Sequence, residues 1–318
     1  MSKPLIQIIT PAQRGSLHGN RMTALRWAGF IEQLGYSAHI HEEWSAEPVD
    51  CLIALHAKRS HASIKKFKQT FPLTPVVLIM TGTDIYRDQG EFAQVIESMQ
   101  LANEIVVLQQ DAVQDLPAQF HKKTRVIYQS HKATQRQSAL QPDFEVCVIG
   151  HLRPEKDPFR AARALQGLAK ESNIKVIHLG KSMSEEMTAQ AEFFNANEPR
   201  YHWYGEVSHS VAMQYLSRSR LMVISSLMEG GAHVVSEAIA IGVPVIASNI
   251  AGNRGLLGAD YSGYYEVGDT AALQQVLQKA EEQPHFYDQL VKEVSARSSL
   301  IQPEREMQFI GELLRTLV

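Results

Sequence analysis

The stretch Leu221-Met222-Val223-Ile224-Ser225-Ser226-Leu227-Met228-Glu229-Gly230-Gly231-Ala232-His233-Val234-Val235-Ser236-Glu237-Ala238 decides the fold. Four consecutive apolar residues read as a buried strand, a loop with two adjacent glycines follows, and a helix is expected to start near His233. A strand that runs through such a loop into a helix is one unit of a parallel α/β sheet. Gly230 and Gly231 let backbone N–H groups approach a ligand closely, and a helix start with Ala232 and His233 adds its dipole, so the loop suits an anion. Glu229 and Glu237 bracket the loop. A carboxylate on the first turns of the helix can accept both hydroxyls of a ribose, while one in the loop faces a sugar beyond a diphosphate. Two glutamates at this spacing also occur as solvated surface charges. The glycine pair, the preceding strand and the following Ala240-Ile241-Gly242-Val243-Pro244-Val245 favour a sugar-nucleotide site.

The same alternation runs almost from end to end. Leu5–Ile9, Ala38–Ile40, Cys51–Leu55, Val76–Met80, Ile105–Leu108 and Val126–Tyr128 read as one series of strands. Phe144–Ile149, Ile174–Leu179, Tyr201–Tyr204, Leu221–Ile224 and Val243–Ala247 read as a second. Arg21–Leu34 is the clearest helix, with Ala24, Leu25, Trp27, Ala28, Ile31 and Leu34 on one side and Gly35 placed to end it. The polar stretch Gln129–Asp143 has no apolar period and is read as a linker. With 318 residues the chain is long enough for two domains. The expectation is therefore an α/β chain of two Rossmann-like, doubly wound parallel-sheet domains facing across a cleft. They span 1–138 and 139–302, and a last helix in 303–318 can pack back on the first.

Composition narrows the function. Apolar residues make up 44% and charged residues 20%, ordinary values for a globular protein. No apolar run approaches the ~18 residues of a membrane span, and the first twenty residues lack the pattern of a signal peptide, so a cytoplasmic location is expected. Cys51 and Cys147 sit in separate apolar runs and read as core residues, not as a disulfide or a zinc site. A net charge of −3 lacks the footprint of a nucleic-acid binder. Its distribution is uneven: residues 1–138 hold 15 Lys and Arg against 12 Asp and Glu, and residues 139–318 hold 16 against 22. The basic half invites the question of an anionic ligand.

Two nucleotide signatures fail. Gly15 and Gly19 are four apart and do not make G-x-G-x-x-G. Gly180-Lys181-Ser182 imitates the end of a P-loop, but Lys175 stands where its first glycine belongs. A better candidate is Val148-Ile149-Gly150-His151-Leu152-Arg153-Pro154-Glu155-Lys156-Asp157-Pro158, which leaves a strand through a glycine and presents Arg153 and Lys156 before a helix expected to open at Pro158. Cations at the carboxyl end of a strand stabilise the charge that grows on a diphosphate leaving group.

Gly150-His151-Leu152-Arg153-Pro154-Glu155-Lys156, together with Glu229 to Glu237, resembles the donor domain of glycosyltransferase family four, which has the two-domain GT-B architecture. The resemblance implies that Glu229 faces the transferred sugar, Glu237 holds the ribose, and Arg153 and Lys156 contact the diphosphate, with Gly205-Glu206-Val207 beside the base. One departure is that the family has Arg directly after the glycine, where this chain has His151. Lys156 is in register, and Arg153 takes the place of the missing guanidinium.

In the first half, three strands deliver cation-rich loops to one edge: Thr10-Pro11-Ala12-Gln13-Arg14-Gly15-Ser16-Leu17-His18-Gly19-Asn20-Arg21, His56-Ala57-Lys58-Arg59-Ser60-His61 and Thr81-Gly82-Thr83-Asp84-Ile85-Tyr86-Arg87. Each charge alone reads as a solvated loop residue. Jointly, Arg14, Arg21, Lys58, Arg59 and Arg87 can surround a small anion, with Ser16 and helix-start amides as neutral donors. His18, His56 and His61 titrate near neutral pH and are candidates for proton handling or for structural hydrogen bonds. Asp84 can orient an acceptor or cap the following helix.

Taken over its whole length, the chain resembles the selenosugar synthases of selenoneine biosynthesis. The stretches are His18–Ala28, Leu55–Ser60, Thr81–Asp88 and Glu229–Glu237, in both halves. The resemblance implies transfer of the sugar of UDP-N-acetylglucosamine (UDP-GlcNAc) or UDP-glucose to selenophosphate, with functional coupling to a selenophosphate synthetase. An anionic selenium nucleophile scarcely needs a general base, and with no Asp-x-Asp present no metal or other cofactor is expected. The alternatives are a family-four enzyme with a hydroxyl acceptor, a UDP-sugar epimerase or hydrolase, and a non-catalytic sensor. The amphipathic stretch His61–Phe71 would be the membrane-facing clue for a lipid acceptor.

Overall fold

The strands form where short β-branched and apolar runs are bounded by glycine, proline or polar residues, and they assemble into two six-stranded parallel sheets. The computed structural model describes residues 3–16, 19–86, 92–132, 135–137 and 143–318. The chain divides into two compact units. The first comprises Met1–Ser130, Glu229–His233 and Pro303–Val318, and the second His131–Met228 and Val234–Gln302.

In the first unit, β1 (Leu5–Ile9), β2 (Ser37–His41), β3 (Cys51–Leu55), β4 (Val76–Ile79), β5 (Glu104–Val107) and β6 (Thr124–Val126) lie in the order β2-β1-β3-β4-β5-β6. The order reverses at β1 and β3, which pair in parallel from Ile6 with Cys51 to Ile9 with Ala54. The central strands are buried on both faces, as parallel sheets require. One face packs on the Gly19–Gln33 and Pro303–Arg315 helices, where Trp27, Ile31, Ile310, Leu313 and Leu314 are fully buried. The other packs on the His61–Thr70 and Phe92–Leu101 helices. Ile64 and Phe67 are buried in that core, and Lys65 pairs with Glu97 at 2.9 Å. The apolar side of the His61–Thr70 helix thus faces protein, so it offers no face for a lipid surface.

In the second unit, β7 (Phe144–Ile149), β8 (Ile174–Leu179), β9 (Tyr201–Trp203), β10 (Leu221–Ile224), β11 (Val245–Ser248) and β12 (Tyr264–Tyr265) lie in the order β12-β11-β10-β7-β8-β9. Here the reversal falls at β7 and β10. Both cysteines are free and fully buried, and burial pushes the Cys51 thiol up to about 12. Among the described residues no helix is long and apolar enough to cross a membrane.

Several bounds differ from the sequence expectation. β6 starts at Thr124, two residues before the apolar run, because an edge strand needs no apolar residue on its open side; Arg125 there pairs with Glu104 at 2.9 Å. β11 starts at Val245 because Gly242, at φ +80, ends the preceding helix and Val243 N–H closes that turn on Ala238 O, while Pro244 has no N–H to donate. The helix after Pro158 begins at Arg160, since Asp157 is held in the left-handed region at φ +43. The first helix begins at Gly19, before Arg21, and the two-residue β12 was not expected at all.

Candidate active site

Open α/β sheets bind ligands at the carboxyl ends of the strands where the strand order reverses. In the second unit that point is the end of β7 beside β10. After Gly150 and His151 the chain makes a tight turn, with Lys156 N–H bonded to Arg153 O at 3.0 Å and Pro154–Lys156 forming a single 3-10 turn. Arg153 and Lys156 flank it, both half-buried. The turn is tied to the end of β10: Leu227 N–H donates to Glu155 O at 2.9 Å, and the Ser225 hydroxyl donates to Asp157 O at 2.8 Å. Asp157 in turn accepts from Arg160 Nε at 2.6 Å.

The neighbouring loops are drawn to the same edge. The Gly180 backbone packs on the Gly150 carbonyl so closely that a Cβ has no room, which gives this glycine a packing role in place of the P-loop role it imitates. Gly180 N–H donates to Gly205 O at 2.7 Å, and Gly205, at φ +71, turns the chain towards Glu206 and Val207. His151 Nδ1 accepts from Lys181 N–H at 3.2 Å. Gly150, His151, Arg153, Lys156, Gly205 and Val207 are therefore on one sheet edge of the second unit.

Glu237 lies on the His233–Ile241 helix of that unit and is buried apart from 11% of its side chain. Its Oε1 is 2.7 Å from His209 Nε2 and 3.9 Å from His131 Nδ1, and the two imidazoles meet edge to face at 5.9 Å. The hydrogen bond to Glu237 raises the His209 imidazole above its ordinary value, against the opposing effect of partial burial. Neither histidine stood out in the sequence.

In the first unit the order reverses at β1 and β3, and the loops that follow these strands hold most of the expected acceptor residues. Arg14 and Gly15 are exposed, and Arg14 N–H donates to Glu42 Oε1 at 3.2 Å. Ser16 and Asn20 are half-buried. Arg21 is 8% exposed, and its Nε finds no partner among the described residues; the buried Ser16 hydroxyl is in the same position. Lys58 is half-buried and Arg59 exposed. His18 and Arg87 lie outside the described residues.

The loops after β3 and β4 are joined by one carboxylate. Asp84, 3% exposed, accepts from the backbone N–H groups of Ala57, Lys58 and Thr81 at 3.0, 3.2 and 3.0 Å, and from the Thr81 hydroxyl at 2.9 Å. His56 Nδ1 is 2.6 Å from Asp84 Oδ1, and His56 Nε2 is 3.1 Å from the Thr83 hydroxyl. Since the carboxylate can only accept, the Nδ1 hydrogen points at Asp84. His56 is held at φ +75, a strained setting for a non-glycine residue. Asp84 is thus a positioning residue that fixes the ring of His56 and two loops. His61 is taken up structurally, by Ser98 at 3.0 Å and Glu97 at 3.2 Å.

The loop Glu229–His233 clusters with this first unit. The Gly230 and Gly82 backbones meet without room for a Cβ on either, and a Cβ on Gly231 would meet that of Leu108 at 2.7 Å. His233 Nε2 is 3.1 Å from the Thr23 hydroxyl, and Ala232 is buried. Glycines 230 and 231 are required by this packing, whatever else their amides do.

Comparison with known proteins brings the geometry into a family. The family model described as glycosyl transferases group 1 matches residues 131–297. A search of curated proteins finds no match. Among solved structures, a sucrose-phosphate synthase from Thermosynechococcus elongatus superposes with a TM-score of 0.83 at 16% identity, covering 99% of each chain. HepE from Anabaena, solved in complex with UDP-glucose, gives 0.78 at 14%, over 99% of this chain and 100% of that one. A glycosyltransferase from Rickettsia africae gives 0.76 at 13%, over 100% and 99%. At these identities the likeness establishes the fold, which is GT-B.

Proposed function

The chain belongs to the glycosyl transferases group 1 family, and on that premise we propose that it transfers the sugar of UDP-GlcNAc or UDP-glucose to selenophosphate. Selenium attacks the anomeric carbon, the bond from that carbon to the UDP oxygen breaks, and UDP leaves with the electron pair. Hydrolysis of the selenium–phosphorus bond then gives a 1-selenosugar and phosphate.

The UDP-sugar half of the reading is supported by the family and by Glu237, a nearly buried carboxylate in the second unit. There Glu237 takes the ribose hydroxyls, Gly205 and Val207 lie beside the base, and Gly150, His151, Arg153 and Lys156 serve the diphosphate. In the second unit, the Arg153 and Lys156 cations offset the charge that develops on the leaving group, a role that needs no metal. Glu229 faces the sugar, with Ala232 and His233 completing the loop.

The acceptor half is carried by one observation: a buried arginine nitrogen at Arg21 and a buried hydroxyl at Ser16, neither with a partner among the described residues. An orphaned buried donor is costly unless a ligand satisfies it, and a small phosphate-like anion does so at both. The resemblance of the surrounding stretches to selenosugar synthases names that anion as selenophosphate. Arg14, Gly15, His18, Asn20, Lys58, Arg59, Thr83 and Arg87 are the further acceptor residues, and His56, fixed by Asp84, presents its Nε2 side through Thr83. Coupling to a selenophosphate synthetase follows from the acceptor's chemistry.

The test is incubation of the purified protein with UDP-GlcNAc or UDP-glucose, with and without selenophosphate, followed by mass spectrometry of UDP and selenium products. A selenium adduct formed with stoichiometric UDP is expected. UDP release without any selenium adduct, with either donor, would sink the acceptor assignment and leave the donor assignment standing.

A further inference from the structure

Glu237, His209 and His131 present one carboxylate oxygen and two imidazole nitrogens within 4.8 Å of one another. The geometry points to a transition-metal site at this triad, one that takes Zn2+ and competes with the nucleotide for Glu237. The competition rests on the ribose role given to Glu237 above; the metal site itself does not.

Two imidazoles and a carboxylate are a ligand set for zinc with a fourth position open to water. At zinc bond lengths of about 2.0–2.1 Å, neighbouring ligand atoms in a tetrahedron lie about 3.3 Å apart. The observed separations from Glu237 Oε1, 2.7 Å to His209 and 3.9 Å to His131, fall on either side of that value. Small side-chain rotations in opposite senses therefore bring both to bonding geometry. Binding replaces the hydrogen between His209 and Glu237 by the metal and releases it to solvent.

The three ligands come from separate places in one unit, and the backbone already holds each. His131 N–H donates to Ile301 O at 3.1 Å. His209 opens the His209–Arg218 helix, whose start is fixed by the Ser208 hydroxyl accepting from Val211 N–H. Glu237 is within the His233–Ile241 helix. With 48% of its side chain exposed, His209 gives a metal ion a path from solvent.

Cobalt(II) is the direct probe, because tetrahedral nitrogen and oxygen ligation produces visible absorption bands that Zn2+ then abolishes. Titration of the full chain is expected to show these bands at one Co2+ per chain. They are expected to be lost in both His209→Ala and His131→Ala, each with a circular dichroism spectrum like that of the parent. Absence of the bands in the parent, or their survival in both variants, would overturn the site. Addition of UDP is expected to bleach the bands. Bands that persist under saturating UDP would overturn the competition and the ribose role of Glu237, while leaving the metal site in place.

Discussion

Glu237 carries both the proposed ribose contact and the proposed metal site. A charged hydrogen bond of this kind contributes about 1.5–3 kcal/mol, so Glu237→Ala is expected to raise the donor KM by about 10- to 100-fold with little change in the acceptor KM. Steady-state kinetics with each substrate varied in turn checks this, and an unchanged donor KM would remove the ribose assignment. The orphaned pair in the first unit gives the converse pattern. Arg21→Ala, which removes a buried cation whose Nε has no partner among the described residues, is expected to raise the acceptor KM tenfold or more, about 1.4 kcal/mol or above, while the donor KM holds. Glu237 was legible because a strand, two glycines and a helix start fix its position within a few residues. His209 and His131 were not, since they lie 28 and 106 residues from Glu237 and only tertiary packing brings them to one carboxylate. Asp84 was singled out as an orienting or capping residue, but its hold on two loops was not legible, because its partners are mostly backbone amides that carry no side-chain signature.

At the level of single elements, two buried polar groups hold helices and strands in register. Glu306, on the Pro303–Arg315 helix and 2% exposed, accepts from Arg26 Nε at 2.8 Å, Trp27 Nε1 at 2.8 Å and Ser130 N–H at 2.7 Å. Breaking a buried pair from one side costs about 3–5 kcal/mol, and Glu306→Ala is expected to lower the denaturant midpoint of the first unit accordingly, read by the fluorescence of Trp27. In the second unit, burial lowers His178, on β8, to about 4 from its ordinary 6.5, and its Nδ1 meets the Tyr201 hydroxyl on β9 at 2.7 Å. Between those two values the unfolded chain binds a proton that the folded chain does not, so stability falls as pH drops through this window, by up to about 3 kcal/mol. Denaturation at pH 7.5 and pH 4.5 is expected to show this loss, and His178→Gln to reduce it. Interior strands such as β3 and β10 were readable as unbroken apolar runs because both their faces are covered. Of the edge strands, β6 was read with its bounds shifted and β12 not at all, because a half-solvated or two-residue strand needs no such run.

Across the whole molecule, the first unit is assembled from three separate pieces of chain, with the second unit's residues running between them. Its core is complete only when Ile310, Leu313 and Leu314 cover Trp27 and Ile31. A chain ending at Gln302 is therefore expected to lose amide-exchange protection in β1 and β3 while β7, β8 and β10 keep theirs, as hydrogen-exchange mass spectrometry would resolve by peptide. The more basic part of the sequence holds Arg21 Nε and the Ser16 hydroxyl, two buried polar atoms that find no partner among the described residues. The three-piece construction also reaches into biosynthesis. On the ribosome, the Pro303–Arg315 helix is translated after every residue of the second unit, so the core of the first unit closes only once those residues have been made. Until that helix emerges, Trp27 and its neighbours form an unfinished apolar surface of the kind that chaperones bind.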